Sequence, residues 1–205
     1  MTGEIKNIVF DMGMVLLKFC PQEYCLKVAE DPKAAEAVYA NLFCGNEWVQ
    51  VDGGELTEEE CVSLVGKRIP QFEKYLKPIM AGWTECLSEM PGMEELVKRL
   101  KDDTNYSLFL LSNTSLRFYE FSKDYKVFEY FDGKIISAAE KMLKPDPEIY
   151  HLLCSRYHLK PEECLFIDDV QENINAAKKC GLRAHRFQGA GELKTFLAET
   201  GILSL

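Results

Sequence analysis

The sequence predicts an α/β protein, a Rossmann-like parallel sheet core with an inserted small helical cap. Three observations carry that expectation. Short apolar runs alternate with helical stretches from Pro91 onward. One long stretch, Pro21 to Trp83, reads as helical throughout. The three strongest strand patterns each end on polar or acidic residues. Strands alternating with helices at this spacing imply right-handed βαβ units and a sheet covered on both faces.

Lys6 to Phe10 (KNIVF) is a buried strand that stops at Asp11. Helices follow at Gln22–Ala29, Pro32–Phe43 and Thr57–Ile69, the last opened by a Thr57/Glu60 capping box after the Gly53-Gly54 turn. Beyond Pro91-Gly92 the expected order is helix Met93–Lys101, strand Tyr106–Leu111, helix Leu116–Tyr125, strand Lys134–Ser137 and helix Pro147–Tyr157. Strand Cys164–Ile167, helix Glu172–Cys180, strand Arg183–Phe187 and a helix from Glu192 complete it. The core is thus expected over 1–15 and 85–205, with the cap over 16–84.

A chain of 205 residues has room for one core with a sizeable insertion, so one active site is expected. Its formal charge of −9 argues against nucleic acid, which needs clustered Lys or Arg, but leaves a small phosphorylated metabolite open as partner. The eight cysteines contain no CxxC pair and read as reduced thiols. The N-terminus runs into a strand and no apolar segment approaches spanning length. Neither a signal peptide nor a membrane association is expected, and the cytoplasm is the default location. Oligomeric state is not legible.

Open parallel sheets bind ligands beyond the carboxyl ends of their strands. Asp11, Ser112-Asn113 and Asp168-Asp169 occupy those positions. Acids converging from separate strands repel one another, and a hard divalent cation, Mg2+ where phosphate is the other ligand, is the natural compensation. A carboxylate beside a phosphate can act as nucleophile, while Lys144 and the Ser112 hydroxyl can stabilise transferred charge.

These residues resemble the haloacid dehalogenase (HAD) superfamily. Asp11-Met12-Gly13-Met14-Val15-Leu16 is similar to its first motif and Leu111-Ser112-Asn113 to its second. Leu143-Lys144-Pro145-Asp146-Pro147 is similar to the third, and Phe166-Ile167-Asp168-Asp169 with Asn173 and Ala176-Ala177 to the fourth. The resemblance implies Asp11 as nucleophile and metal ligand, and the Gly13 carbonyl, Asp168 and Asp169 as the rest of the magnesium shell. It further implies Ser112, Asn113 and Lys144 as the phosphate-binding set, Asn173 as loop support, and the helical cap as substrate selector.

Gly13 stands where phosphatases of this family carry a second aspartate that protonates the leaving group. Three readings follow from the resemblance. The first is a phosphatase for leaving groups that need little protonation, such as a sugar 1-phosphate or an acyl phosphate, like the branch with glycine at this place. The second is a metal-independent 2-haloacid dehalogenase, which Asp168-Asp169 argues against. The third is a noncatalytic binding module.

Other residues have plainer expectations. Asp146 caps the following helix, and His151, His158 and His185 have no metal-ligand spacing. Tyr39, Phe43, Trp48 and Trp83 fill the core of the cap. Ser112-Asn113 are also candidate caps for the helix from Leu116.

Overall fold

The computed structural model describes residues 4–102 and 106–203. Its main sheet is built from β1 (Asn7–Phe10), β4 (Ser107–Ser112), β5 (Gly133–Ile136), β6 (Cys164–Asp168) and β7 (Arg183–Arg186). The strand order is β5-β4-β1-β6-β7, and every pairing is parallel. The side-chain period of two sends Ile8, Phe10, Leu108, Leu110, Leu165 and Ile167 into one apolar layer. Val9, Phe109, Leu111 and Phe166 enter the opposite layer, against Ile149, Tyr150, Leu153 and Ile174. Both faces are therefore covered, as the continuous apolar strand sequences require.

The chain leaves β1 through a tight turn. Leu16 and Leu17 donate backbone bonds to the Met12 carbonyl at 2.8 and 2.9 Å, and Met14 sits in the left-handed region at φ 56°. This turn feeds β2 (Leu17–Phe19), which pairs antiparallel with β3 (Leu87–Glu89). Between those two strands lies the helical insertion: α1 (Pro21–Ala29), α2 (Pro32–Val38), α3 (Asn46–Asp52), α4 (Glu58–Arg68) and α5 (Glu73–Ala81). Phe19, Phe43, Trp48 and Trp83 pack ring against ring, with centroids 4.7–6.0 Å apart, and Trp83 continues edge-on to Phe121 of the core at 5.7 Å. Tyr39 lies partly buried against the same cluster.

The remaining helices are α6 (Met93–Asp102), α7 (Phe118–Phe121), α8 (Ser137–Glu140), α9 (Pro147–Arg156), α10 (Gln171–Lys179) and α11 (Ala190–Glu199). The Thr57/Glu60 capping box forms in both directions, and Asp146 caps α9 by accepting the Glu148 amide at 3.0 Å.

Several expectations are corrected. The helix expected over Pro32–Phe43 is α-helical only to Val38, then widens into a π turn, Tyr39–Phe43, that places Leu42 and Phe43 both in the core. The helix expected over Leu116–Tyr125 shrinks to the single turn of α7 followed by 3-10 turns. The chain leaves the helix after Phe121, and Phe128 comes back to pack edge-on against Phe118 at 5.2 Å, a contact that requires the chain to turn. Ser112 and Asn113 do not cap that helix; its N-cap is Arg117, without a side-chain bond. The short strands β2 and β3 and helix α8 lay outside the sequence expectations, while α3 and α5 fall within the stretch read as helical without having been singled out. Among the described residues no helix is long and apolar enough to cross a membrane.

Candidate active site

The parallel register sets the site. Because Phe10 pairs with Leu110 on one side and Ile167 on the other, Asp11, Ser112 and Asp168 arrive together at the carboxyl edge of three adjacent strands. The Asp11 amide continues the ladder by donating to the Ile167 carbonyl at 2.9 Å. All three side chains are buried.

Lys144 completes the group from the loop before α9. Its ammonium, 1% exposed, lies 2.7 Å from Asp11 Oδ1 and 2.7 Å from Asp168 Oδ2. It also lies 5.4 Å from the Phe166 ring centroid. Asn113 fixes the lysine backbone reciprocally: its Nδ2 donates to the Lys144 carbonyl at 2.9 Å and its Oδ1 accepts the Lys144 amide at 2.8 Å. Asn113 therefore acts here as an anchor for Lys144.

Asp168 is held from below. Asn173 Nδ2 reaches both of its carboxylate oxygens at 3.1 and 3.0 Å, and the Val170 amide donates to Oδ1 at 2.8 Å. Tyr150 holds Asn173 in turn by donating its hydroxyl to the Asn173 carbonyl at 3.1 Å. Asp169 is half-buried, and its carbonyl accepts Arg186 Nε at 3.0 Å. The Asp11 carboxylate accepts the Met12 amide at 2.7 Å.

Burial pushes the Asp11 carboxyl up to about 7, with Asp168 adding to the rise and Lys144 opposing it. Burial, then Asp168, also raises Asp169. For Lys144, burial favours the neutral amine, but the two carboxylates outweigh it and the net direction is upward.

The residues fit a divalent cation. Carboxylate oxygens of Asp11, Asp168 and Asp169 lie within 4.8 Å of one another, the one such cluster of acidic or metal-ligating side chains among the described residues. Three carboxylates outnumber the Lys144 ammonium and the Arg186 guanidinium beside Asp169, a negative excess that favours a bound dication. Hard oxygen donors match magnesium, which keeps several waters of its own. The buried Ser112 hydroxyl has no hydrogen-bond partner, as expected of a group reserved for a ligand. At Gly13 a Cβ would meet nothing within 4 Å.

Two residues that sequence reasoning missed lie behind the Ser112 loop. Ser137 is fully buried; its Oγ accepts the Thr114 amide at 2.8 Å and lies 2.5 Å from the Asp52 carbonyl of α3. The Asp52 carboxylate accepts the Ser115 amide and a bond from Trp48. The sequence signal for this contact was only the Gly53-Gly54 turn.

A family model for haloacid dehalogenase-like hydrolases matches residues 5–181. Among curated proteins, the sesquiterpene phosphatase astK of Aspergillus oryzae is 25% identical over 89% of this chain and 89% of its own length. The D-ribitol-5-phosphate phosphatase of Bacteroides thetaiotaomicron is 27% identical over 86% of this chain and 89% of its own. Among solved structures, the magnesium complex of HAD family enzyme bt-2542 from the same bacterium superposes with a TM-score of 0.71. It is 26% identical and covers 95% of this chain and 98% of its own.

Proposed function

We propose, from the premise that the chain belongs to the haloacid dehalogenase-like hydrolases, that it is a magnesium-dependent phosphatase hydrolysing a small phosphomonoester through an aspartyl phosphate. The observation that carries the reading is the bridge of Lys144 between Asp11 and Asp168 with Asp169 beside them. The phosphatase names of two relatives and the magnesium bound by a third support it.

In this reading Asp11 is the nucleophile. One of its carboxylate oxygens forms a bond to phosphorus as the ester oxygen departs, and water then attacks phosphorus and frees Asp11 with inorganic phosphate. Lys144 orients Asp11 and neutralises phosphate charge, while the Ser112 hydroxyl and the adjacent amide hold the phosphate oxygens. Asp11, Asp169 and the Gly13 carbonyl would hold the magnesium with Asp168 near it. Its charge, when bound, keeps Asp11 ionised and draws the phosphate in. The insertion over 16–84 serves as the cap and the remainder, 1–15 and 85–205, as the core.

Gly13 refines the substrate. With no carboxylic acid there, the ester oxygen leaves without a proton from this position, which favours weakly basic leaving groups such as the anomeric oxygen of a sugar 1-phosphate. The adjacent acids Asp168 and Asp169 argue against a metal-independent dehalogenase, since their repulsion serves no purpose without a cation.

The test is phosphate release from a panel of phosphorylated metabolites, with and without magnesium, for the native protein and Asp11→Asn. Magnesium-dependent release abolished by the substitution is expected. Activity that survives Asp11→Asn would overturn the nucleophile assignment. Equal rates on glucose 6-phosphate and glucose 1-phosphate would overturn the leaving-group preference.

A further inference from the structure

The loop that follows β4 has two ends. At its start the Ser112 hydroxyl is buried and unpartnered. At its far end, Thr114 and Ser115 are buried and fastened to residues that come from elsewhere. The Thr114 amide donates to Ser137 Oγ at 2.8 Å, and that hydroxyl lies 3.2 Å from the Thr114 carbonyl and 2.5 Å from the Asp52 carbonyl. The Ser137 oxygen accepts once and has one proton, which the closer Asp52 carbonyl takes. The Ser115 amide donates to the Asp52 carboxylate, which also accepts from Trp48. Asp52 thus contributes both of its acceptor groups to one contact between the helical insertion and the Ser112–Ser115 loop.

The packing around that contact is close. Gly54, at φ +69°, runs so near α8 that a Cβ would come within 2.2 Å of the Ala138 carbonyl oxygen. A Cβ on Gly53 would stand 3.2 Å from Leu143, the residue before Lys144. The turn after α3 therefore rests on α8, which carries Ser137, and on the segment that carries Lys144, and its glycines are what let it do so.

We propose that Asp52 and Ser137 are positioning residues for the phosphate-binding loop, so that docking of the helical insertion and binding of phosphate are coupled. The inference rests on the phosphatase reading above for the role of Ser112. With the insertion docked, the Thr114 and Ser115 amides are satisfied and the Ser112 hydroxyl is aimed at the site. With it lifted, the Ser115 amide loses its acceptor, Ser137 is left with the Thr114 amide and carbonyl alone, and the loop loses its anchor to the insertion. Any ligand that binds the ordered loop must favour docking by the same factor that docking favours the ligand. The metal triad is independent of this contact, because Asp11, Asp168 and Asp169 belong to β1, β6 and their following loops.

The test compares native protein with Ser137→Ala, Asp52→Ala, Asp52→Asn and Gly54→Ala. Each is read by melting-temperature titration with inorganic phosphate in the presence of magnesium, with magnesium alone, and by kcat and KM. Ser137→Ala and Asp52→Ala should each weaken phosphate binding roughly tenfold, the size expected when one buried amide loses its acceptor. Magnesium binding measured alone should stay unchanged. Asp52→Asn keeps one acceptor for the Ser115 amide and should recover most of the loss, while Gly54→Ala should reproduce it without removing a polar group. A general loss of structure would weaken magnesium and phosphate together.

Unchanged phosphate affinity in Ser137→Ala and Gly54→Ala, with folding intact, would overturn the proposal. So would parallel loss of magnesium binding in every variant. Native protein that binds phosphate but turns over no substrate would instead remove the phosphatase reading, while the coupling would still stand or fall on the binding titrations.

Discussion

The Lys144 ammonium stands midway between two acids, 2.7 Å from a carboxylate oxygen of Asp11 and 2.7 Å from one of Asp168, and is itself almost wholly buried. One cation is thereby shared by the ends of two strands that are adjacent in space and distant in sequence. Lys144→Met would leave two acids facing each other with no compensating charge. Removing one partner from a buried ion pair typically costs about 3–5 kcal/mol. The variant is expected to melt well below the native protein in chelator, with part of the loss restored by magnesium, and to have no measurable turnover. A native-like melting temperature in chelator would show that the bridge contributes little.

Gly13 can be changed in the opposite direction. Nothing lies within 4 Å of its missing Cβ, and its backbone is not left-handed, so an aspartate side chain has space to enter. Gly13→Asp is expected to raise kcat on alkyl phosphates relative to sugar 1-phosphates. The gain has an upper range of about 10²- to 10⁴-fold, the usual worth of a positioned general acid. No change in the ratio of the two rates would mean that leaving-group protonation is supplied from elsewhere.

The Asp11 carboxyl, pushed up by burial from an ordinary 3.8 to about 7, sets a direction for pH dependence. An acid whose pKa is raised by folding holds its proton more tightly in the folded chain. Its contribution to stability is complete below the unfolded pKa of about 4 and is lost as pH rises through about 7. Metal-free protein is therefore expected to melt lower at about pH 8 than at about pH 5, and Asp11→Asn should flatten that difference. Magnesium should raise the melting temperature more at the higher pH, because protons compete for the same oxygens. A metal-free protein that gains stability over this window would contradict the assignment.

Asn173 touches both oxygens of Asp168 and is itself held by Tyr150. Asn173→Ala is expected to weaken magnesium binding by about 10- to 100-fold, the usual effect of losing a group that orients a metal-site carboxylate. Tyr150→Phe should produce a smaller change of the same sign. Isothermal titration with magnesium alone measures both.

Much of this arrangement was legible because it depends on strand ends. The runs KNIVF, YSLFLL and CLFI mark buried parallel strands, and the residues after them had to share one edge. The Thr57/Glu60 capping box and the Asp146 cap were legible for a similar reason, since their partners lie within three residues. What failed depended on tertiary packing. The three-residue strands β2 and β3 are too short to show a period, and the helix begun at Phe118 stops at Phe121, where the chain turns to bring Phe128 back onto Phe118. Asp52 and Ser137 were missed because their meeting depends on how the insertion docks, which spacing along the chain does not encode.

The central place of β1 has a consequence for how the chain acquires its structure. Its two neighbours begin at Ser107 and Cys164, so the strand that delivers Asp11 has no partner until far more of the chain has been synthesised. The helices α1 and α2, by contrast, are adjacent in sequence and touch each other, and contacts of that kind form early because they close short loops. During synthesis the insertion can collapse first while the strand before it waits. Only when residues 164–168 emerge can β6 align beside β1 and Lys144 find both of its acids. The charged centre is thus assembled late, with only α10, β7 and α11 still to follow, and a ribosome-bound chain that stops short of Cys164 would carry Asp11 without the second acid that meets its lysine.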